Sequence, residues 1–434
     1  MTKLSIKADP SKKFFIEMLT RDISLIDGIL DLIDNSVDSI IKDSNFNPMK
    51  GLFDSTASLE KYKISINFNS KSFTIIDNSI GVTKRDAENK VFKFGFEQAD
   101  NKGAGLSVYG IGMKRSFLKI GKKISFQSRN NKETIDVKIN VLGWLRRTKW
   151  DFSGDISNAS RTTGTTIQVS DLYDNVKSNF KDPTFRKRLL DKINATYGIF
   201  LLNKLKIEVN NEKAVPIMPK IARTKKIKPS ISSFTIDEVK VKIIAGITHE
   251  DSKSLNGWYI FCNGRLILGG DTTEKTGWGN TNLKLRQFHP SINRFVGFVY
   301  FESTKVSLLP WTTTKDGVNF NSRIYQHALG EMVKIAQPIV SYLTKLYRQE
   351  PRMESLRSMI KVTDEVPLNT LKIKQQSFVS PAFDDINAKK GKQRISYMVP
   401  LSDLKKIKKI IGNSNISNAE IGKKTFYYFI EYEA

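Results

Sequence analysis

Asp31, Asn35 and Asp38 recur at helical spacing in a segment that reads as an amphipathic helix. At 100° per residue they fall within about 60° of one another, and about 120° from the centre of the apolar stripe. The stripe can pack on a sheet while the polar edge lines a cleft. An asparagine carbonyl there suits a magnesium ion that already holds phosphate oxygens and water. A carboxylate one turn earlier can orient or deprotonate an attacking water. Asp77 follows the apolar run Phe73-Thr-Ile-Ile and stands at a strand end, before a turn made by Asn78, Ser79 and Gly81. A carboxylate so placed can accept from the exocyclic amine of adenine, and Gly81 lets the backbone approach a base closely. Gly110-Ile-Gly112 then opens an apparent helix, whose free N–H groups and dipole favour phosphate. Lys114 and Arg115 add positive charge at the same end.

Taken singly, each block has an ordinary reading. Asp31, Asp34 and Asp38 also describe a solvated acidic face, Asp-Asn turns are common, and Gly-x-Gly elements are frequent. Neither the Walker pattern nor a dinucleotide fingerprint after a first strand is present. Order and spacing together carry more than the parts.

The surrounding elements are legible from periodicity. Residues 20–42 read as one helix, capped by Thr20 or Asp22, with Ile23, Ile26, Leu30, Ile33, Val37 and Ile40 as its stripe. Strands are expected at Lys63–Asn69, Ser72–Ile76, Ile124–Ser128, Glu133–Ile139 and Thr165–Ser170, and a helix at Phe185–Leu201. Beyond a basic connector at Lys225–Pro229, strands near Val239, Trp258 and Phe295 and a helix from about Ser322 to Arg348 form a second α/β unit. Residues 363–395 are polar and aperiodic. The last forty or so residues read as strand, lysine-rich helix (Ser402–Ile411) and strand (Thr425–Tyr432).

With 434 residues, two or three domains are expected. No apolar run is long enough to span a bilayer, and the N-terminus lacks the core of a signal peptide. Cys262 is the single cysteine, which excludes an intrachain disulfide and fits a reducing cytoplasm. Three scattered histidines make no zinc signature. The net charge of +26 would attract nucleic acid. Lysine far outnumbers arginine, however, so an AT-rich genome is the competing explanation.

The three blocks in order resemble the GHKL ATPases: gyrase, heat-shock chaperones, histidine kinases and MutL. There a helix carries Glu-x-x-x-Asn, followed by Asp-x-Gly-x-Gly and a glycine-rich lid. The resemblance puts Asp31 at the catalytic glutamate, Asn35 at the magnesium ligand, Asp77 at the adenine aspartate and Gly81 at the second turn glycine. It assigns Gly110, Ile111, Gly112, Met113 and Lys114 to the lid end and the phosphates. It also assigns Thr165 to the adenine amine, and Asp38 joins the nucleotide-binding set. Tyr109-Gly-Ile-Gly-Met-Lys-Arg-Ser-Phe-Leu looks most like the microrchidia branch. Cys262-Asn-Gly-Arg265 is similar to the MutL transducer element, and Trp311-Thr-Thr-Thr-Lys315 to the loop whose lysine reaches the γ-phosphate.

The fold so implied is α/β. A Bergerat-type α/β sandwich that binds ATP spans residues 1–215 and a transducer-like α/β domain 216–350; a linker (351–395) and a small basic C-terminal module (396–434) follow. The activity implied is slow, magnesium-dependent ATP hydrolysis that closes a lid over residues 93–110 and drives N-terminal dimerisation. Residues 1–19, with Phe14 and Phe15, could pack on the partner protomer or simply in the core. DNA or an effector protein is the expected partner of the clamp, with DNA maintenance or bacterial antiviral defence as its setting. Asp31 departs from the family by one methylene, which sets the carboxylate back by about 1.5 Å. A nucleotide-gated binding module with little turnover is therefore the alternative.

Overall fold

The structure, a computed structural model, describes residues 11–53, 58–95, 105–107, 110–248, 256–283, 285–347, 364–366, 368, 371, 375–381 and 395–433. The chain divides into two compact units, Met1–Pro381 and Ala382–Ala434.

The larger unit begins with α1 (Lys12–Arg21), α2 (Leu25–Ser44) and α3 (Pro48–Phe53), then β1 (Lys63–Phe68) and β2 (Ser72–Asp77). The short helix α4 (Lys84–Asp86) runs into a π-helical turn at Ala87–Val91. Next come α5 (Gly112–Ile120), β3 (Gly121–Arg129), β4 (Glu133–Asn140), α6 (Val141–Arg146), β5 (Gly154–Asn158) and β6 (Gly164–Leu172). Helices α7 (Asp174–Lys181), α8 (Pro183–Thr196) and α9 (Gly198–Leu202) and strands β7 (Lys206–Val209) and β8 (Glu212–Lys213) complete this part.

These strands form one sheet in the order β5-β4-β3-β6-β2-β1-β7-β8, antiparallel except where β1 meets β7. Strand periodicity decides what the sheet shows to the helices. On β1 and β2, Ile64, Ile66, Phe68, Phe73, Ile75 and Asp77 are buried, while Ile76 turns outward. Asp77 therefore shares the inner face with the core. Helix α2 packs against α5 and on β2. Its stripe of Ile29, Leu30, Ile33, Val37 and Ile40 is buried, each side chain contributing about 1.5–3 kcal/mol of apolar burial.

Expectation and structure differ at the N-terminus. The segment read as one helix from residue 20 is two. Helix α1 ends at Arg21, and α2 starts anew because Ser24 Oγ accepts the Asp27 N–H at 3.1 Å. Phe15 packs within its own chain, edge-on to Phe94 and Trp150 at 5.3 Å, while Phe14 is exposed. Lys12 anchors α1 by donating to the carbonyls of Trp144, Arg147 and Lys149, the open end of α6. Strand β5 had no alternation to reveal it, since all its residues are exposed.

The rest of the larger unit holds β9 (Ile221–Ala222), β10 (Ser230–Ile236), β11 (Val239–Ile247), β12 (Gly257–Cys262), β13 (Arg265–Asp271) and β14 (Phe295–Glu302), then α10 (Arg323–Tyr347) and β15 (Glu365–Val366). The second sheet runs β10-β11-β14-β12-β13, with β12 and β14 parallel. Strands β12 and β14 are buried at every position, since both faces of the sheet are covered. Helix α10 packs on β11 and β14. Ile199 of α9 packs with Ile244, Phe261 and Phe298 in a cluster that also holds Leu368 and Leu371. Helix α9 thus shares a core with the second sheet. Within the segment read as linker, β15 pairs with β9, and Val379 bridges to Lys228.

In the smaller unit the structure overturns the strand–helix–strand reading. Helix α11 (Leu401–Ile411) is present as expected, but Thr425–Tyr432 belongs to a second helix, α12 (Asn418–Glu433), and residues 395–400 form no strand. The aromatic run suggested a strand, but the local start signal is helical. Ser417 Oγ accepts the Glu420 N–H at 3.2 Å, in a Ser-x-x-Glu pattern flanked by buried Ile416 and Ile421.

Candidate functional site

The inner face of the first sheet carries a polar row. Thr165 on β6 stands opposite Asp77 on β2 and Ser128 on β3, so three adjacent strands present these side chains in line. Asp77 is buried, and Ser36 of α2 donates to its Oδ2 at 2.9 Å. Its Oδ1 accepts from the Ser79 N–H at 3.0 Å and from the Ser79 hydroxyl, whose oxygen also lies 2.7 Å from Ser39 Oγ. Burial pushes the Asp77 carboxyl up, and the Ser79, Ser36 and Thr165 hydrogen bonds oppose this. Ser128 Oγ lies 3.0 Å from Thr165 Oγ1 and accepts the Val82 N–H at 2.8 Å. The turn needs its glycine: Gly81 has φ 71°, and a Cβ there would come within 2.1 Å of the Arg129 carbonyl oxygen.

Helix α2 supplies the second group. Asp31 and Asp34 are both buried, so the solvated-face reading fails. Asp31 Oδ2 accepts from Arg115 Nε of α5 at 2.6 Å, and its Oδ1 lies 3.7 Å from Lys315 Nζ. Gly112, the first residue of α5, packs so close that an added Cβ would stand 3.3 Å from Asp31 Cγ. Asp34 Oδ1 accepts from Tyr197 Oη at 2.7 Å and Arg265 Nε at 2.9 Å, and its Oδ2 from Lys315 Nζ at 2.7 Å. Burial alone would raise this carboxyl, but the neighbouring Arg265 and Lys315 charges outweigh it and hold the group below its ordinary range.

Asn35 Nδ2 donates to the Asp31 carbonyl at 2.6 Å, which turns Oδ1 toward Ser107, 3.4 Å away. That carbonyl fits a magnesium ion held mainly by phosphate and water. Among the described residues no cluster of histidine, cysteine and carboxylates could hold a metal unaided.

Residues 105–107 are gripped from two sides. Asp38 accepts the N–H groups of Leu106 and Ser107, the latter at 3.0 Å. Asn263, in the turn after β12, donates to the Gly105 carbonyl at 2.8 Å and is itself held by Ser303. Burial pushes the Asp38 carboxyl up to about 6, against its hydrogen bonds from Ser107 and Leu106. Of the lid expected over residues 93–110, residues 96–104 and 108–109 lie outside the described residues.

Gly110 and Ile111 lead into α5, and no side chain caps its first turn. The leading N–H groups of a helix have no intrahelical acceptor, which leaves this end suited to an anion. Met113 is buried in the core. Lys114 is buried too; its Nζ donates to the Val91 carbonyl at 2.8 Å, and burial pushes the amine down to about 7.

The structure therefore brings together Asp31, Asn35, Asp38 and Lys315, and separately aligns Asp77 with Thr165 beside Gly81. Lys114 faces the π-helical turn instead. Sequence reasoning missed Asp34 as the meeting point of two cations, and Ser36, Ser79 and Ser128 as the frame of Asp77. One signal for Asp34 existed: three residues after Asp31 and four before Asp38, it lies on the same helix face.

Residues 23–160, from the start of α2 past β5, match the family described as histidine kinase-, DNA gyrase B- and HSP90-like ATPase. Thr165, Arg265 and Lys315 lie beyond that match. No curated protein matches the chain. The matched region carries the general expectation of ATP binding and ATPase chemistry. No described helix is long and apolar enough to cross a membrane.

Proposed function

We propose that the chain binds magnesium-ATP between α2, α5 and the inner face of the first sheet, and hydrolyses it slowly to open and close a clamp. One observation carries this reading. Lys315, reached through the second sheet, stands beside Asp31 on a helix of the family-matched region. In this reading Asp31 is the water-activating carboxylate and Lys315 the phosphate-binding ammonium beside it. In this reading Asp77 and Thr165 take the adenine amine, and Gly81 lets the base lie against the turn. The N-terminal end of α5 takes phosphate, with Lys114 swinging from Val91. Asn35 would hold the magnesium ion, which when bound would supply neutralisation of phosphate charge. Asp31 orients the attacking water. Asp38 and Asn263 hold residues 105–107, so nucleotide in the cleft is coupled to the second sheet.

Lid closure would promote pairing of two copies, and the +26 charge would draw DNA to the closed clamp. DNA maintenance or defence against foreign DNA, with an effector protein as output, suits such a device. A second reading has a specific observation behind it. Asp31 is short and already engaged by Arg115 at 2.6 Å, which favours a nucleotide-held clamp with little turnover.

The test is phosphate release measured beside ATP-induced self-association, for wild type and Asp31→Asn. Turnover that vanishes in the variant while association persists supports the first reading. Association without turnover in either protein selects the second. A chain that binds no ATP overturns both. Any DNA affinity should weaken steeply with salt, since it rests on charge.

A further inference from the structure

Asp34 has no part in the chemistry proposed above, yet it is fully buried and accepts three hydrogen bonds from far along the chain. An isolated buried carboxylate is costly, and pairing with cations must offset that. Here both cations, Arg265 and Lys315, come from the second sheet and its following loop.

Their arrangement forms a closed ring. Arg265 Nε binds Asp34 Oδ1 at 2.9 Å, and its Nη1 donates to the Lys315 carbonyl at 2.7 Å. Lys315 Nζ returns to Asp34 Oδ2 at 2.7 Å. The Lys315 backbone has φ 57°, a left-handed conformation uncommon for lysine that its surroundings must impose. The Arg265 bond to its carbonyl is one such restraint. Another is the Lys315 N–H bond to the Thr312 carbonyl at 3.0 Å. The ring thus fixes both the backbone and the ammonium of Lys315. An ammonium has three donors; one is spent on Asp34 and a second points toward Asp31 at 3.7 Å.

We propose that Asp34 is a positioning residue: it anchors the Lys315 ammonium so that a remaining donor meets the terminal phosphate of a nucleoside triphosphate. It thereby sets how strongly the chain prefers triphosphate to diphosphate. This rests on the ATP-binding reading above. A lysine ordered in advance loses less rotamer freedom when the phosphate arrives than a free one would. A diphosphate lacks the group that Lys315 would touch and gains nothing from the anchor.

The experiment is a pair of binding titrations, with ADP and with a non-hydrolysable ATP analogue, on wild type, Asp34→Asn, Lys315→Met and the double variant. The triphosphate-to-diphosphate affinity ratio should fall about tenfold in Asp34→Asn. It should fall as far in Lys315→Met, and no further in the double variant. A purely structural role for Asp34 would weaken both nucleotides together and leave the ratio alone. An unchanged ratio, or additive losses in the double variant, overturns the proposal. If Asp34→Asn does not fold, Tyr197→Phe serves, because it keeps every charge and removes one donor to Asp34. It should lower the ratio roughly threefold, and an unchanged ratio overturns the proposal equally. Wild type that binds neither nucleotide would instead overturn the ATP-binding reading itself.

Discussion

Arg115 Nε lies 2.6 Å from Asp31 Oδ2, with both side chains buried between α2 and α5. The guanidinium ties the carboxylate to the helix that opens at Gly112. Only Oδ1 then remains for a water, and Lys315 stands 3.7 Å from it. Asp31→Asn should abolish phosphate release while changing ADP affinity by no more than about threefold, since a group needed only in the transition state contributes little to binding. It should also lower unfolding free energy by about 3–5 kcal/mol, because Arg115 loses its buried partner. Phosphate-release assays and urea unfolding check the two halves separately. Wild-type turnover in the variant would remove Asp31 as the water-orienting group.

Asp38 gives the grip on residues 105–107 a pH dependence. Its carboxyl is raised to about 6 by burial. The folded chain therefore binds more protons than the unfolded one between about pH 4 and 6. Global stability from this group is fully present below pH 4 and lost as pH rises through 6. The grip runs the other way. The ionised carboxylate accepts both the Leu106 and Ser107 N–H groups, and protonation weakens that acceptor. Protease protection of the segment around residues 105–107 should fall as pH drops through about 6, and Asp38→Asn should flatten the profile. A flat wild-type profile would discount the grip.

Lys114 is buried with its amine lowered to about 7. The unfolded chain holds that proton up to about pH 10, so this group adds stability as pH rises from about 7 to 10. If the amine meets phosphate, it should take up a proton near pH 7.5 when ATP binds. Calorimetry in buffers of different ionisation enthalpy reads this uptake. Lys114→Met should remove it and weaken ATP about tenfold, the scale of a charge-assisted contact. Equal proton uptake in the variant would place the effect elsewhere.

At the base end, Asp77→Asn should weaken adenine nucleotides by about tenfold, because Asn presents an N–H₂ group where the carboxylate accepted. Guanine nucleotides should hardly change. Gly81→Ala should cost about 1–3 kcal/mol of stability, from the enforced φ and the clash with Arg129. Competition titrations with ATP and GTP, beside urea unfolding, test both. Equal responses of the two bases to Asp77→Asn would remove Asp77 from the base pocket.

Several features were legible because they are local. The stripe of Leu30, Ile33, Val37 and Ile40 has a helical period whatever surrounds it. The alternation of Phe73, Ile75 and Asp77 assigns Asp77 to the inner face before any sheet is drawn. The order of Asp31, Asn35, Asp77 and Gly112 likewise pointed to nucleotide, and residues 23–160 match a family of ATPases. Where local signals conflict, periodicity alone misleads. The aromatic run from Phe426 to Tyr432 looked like a strand, while Ser417 and Glu420 began a helix.

Tertiary structure alone decided what the charges do. Asp31, Asp34 and Asp38 are equivalent on a helical wheel. One meets Arg115, the next Arg265 and Lys315, and the last the N–H groups of Leu106 and Ser107. Period and propensity concern neighbours along the chain, and they set where a helix or strand forms and which face it buries. Ion pairing in a dry interior depends on which distant segment arrives, and Asp34 meets Lys315 from 281 positions along the chain.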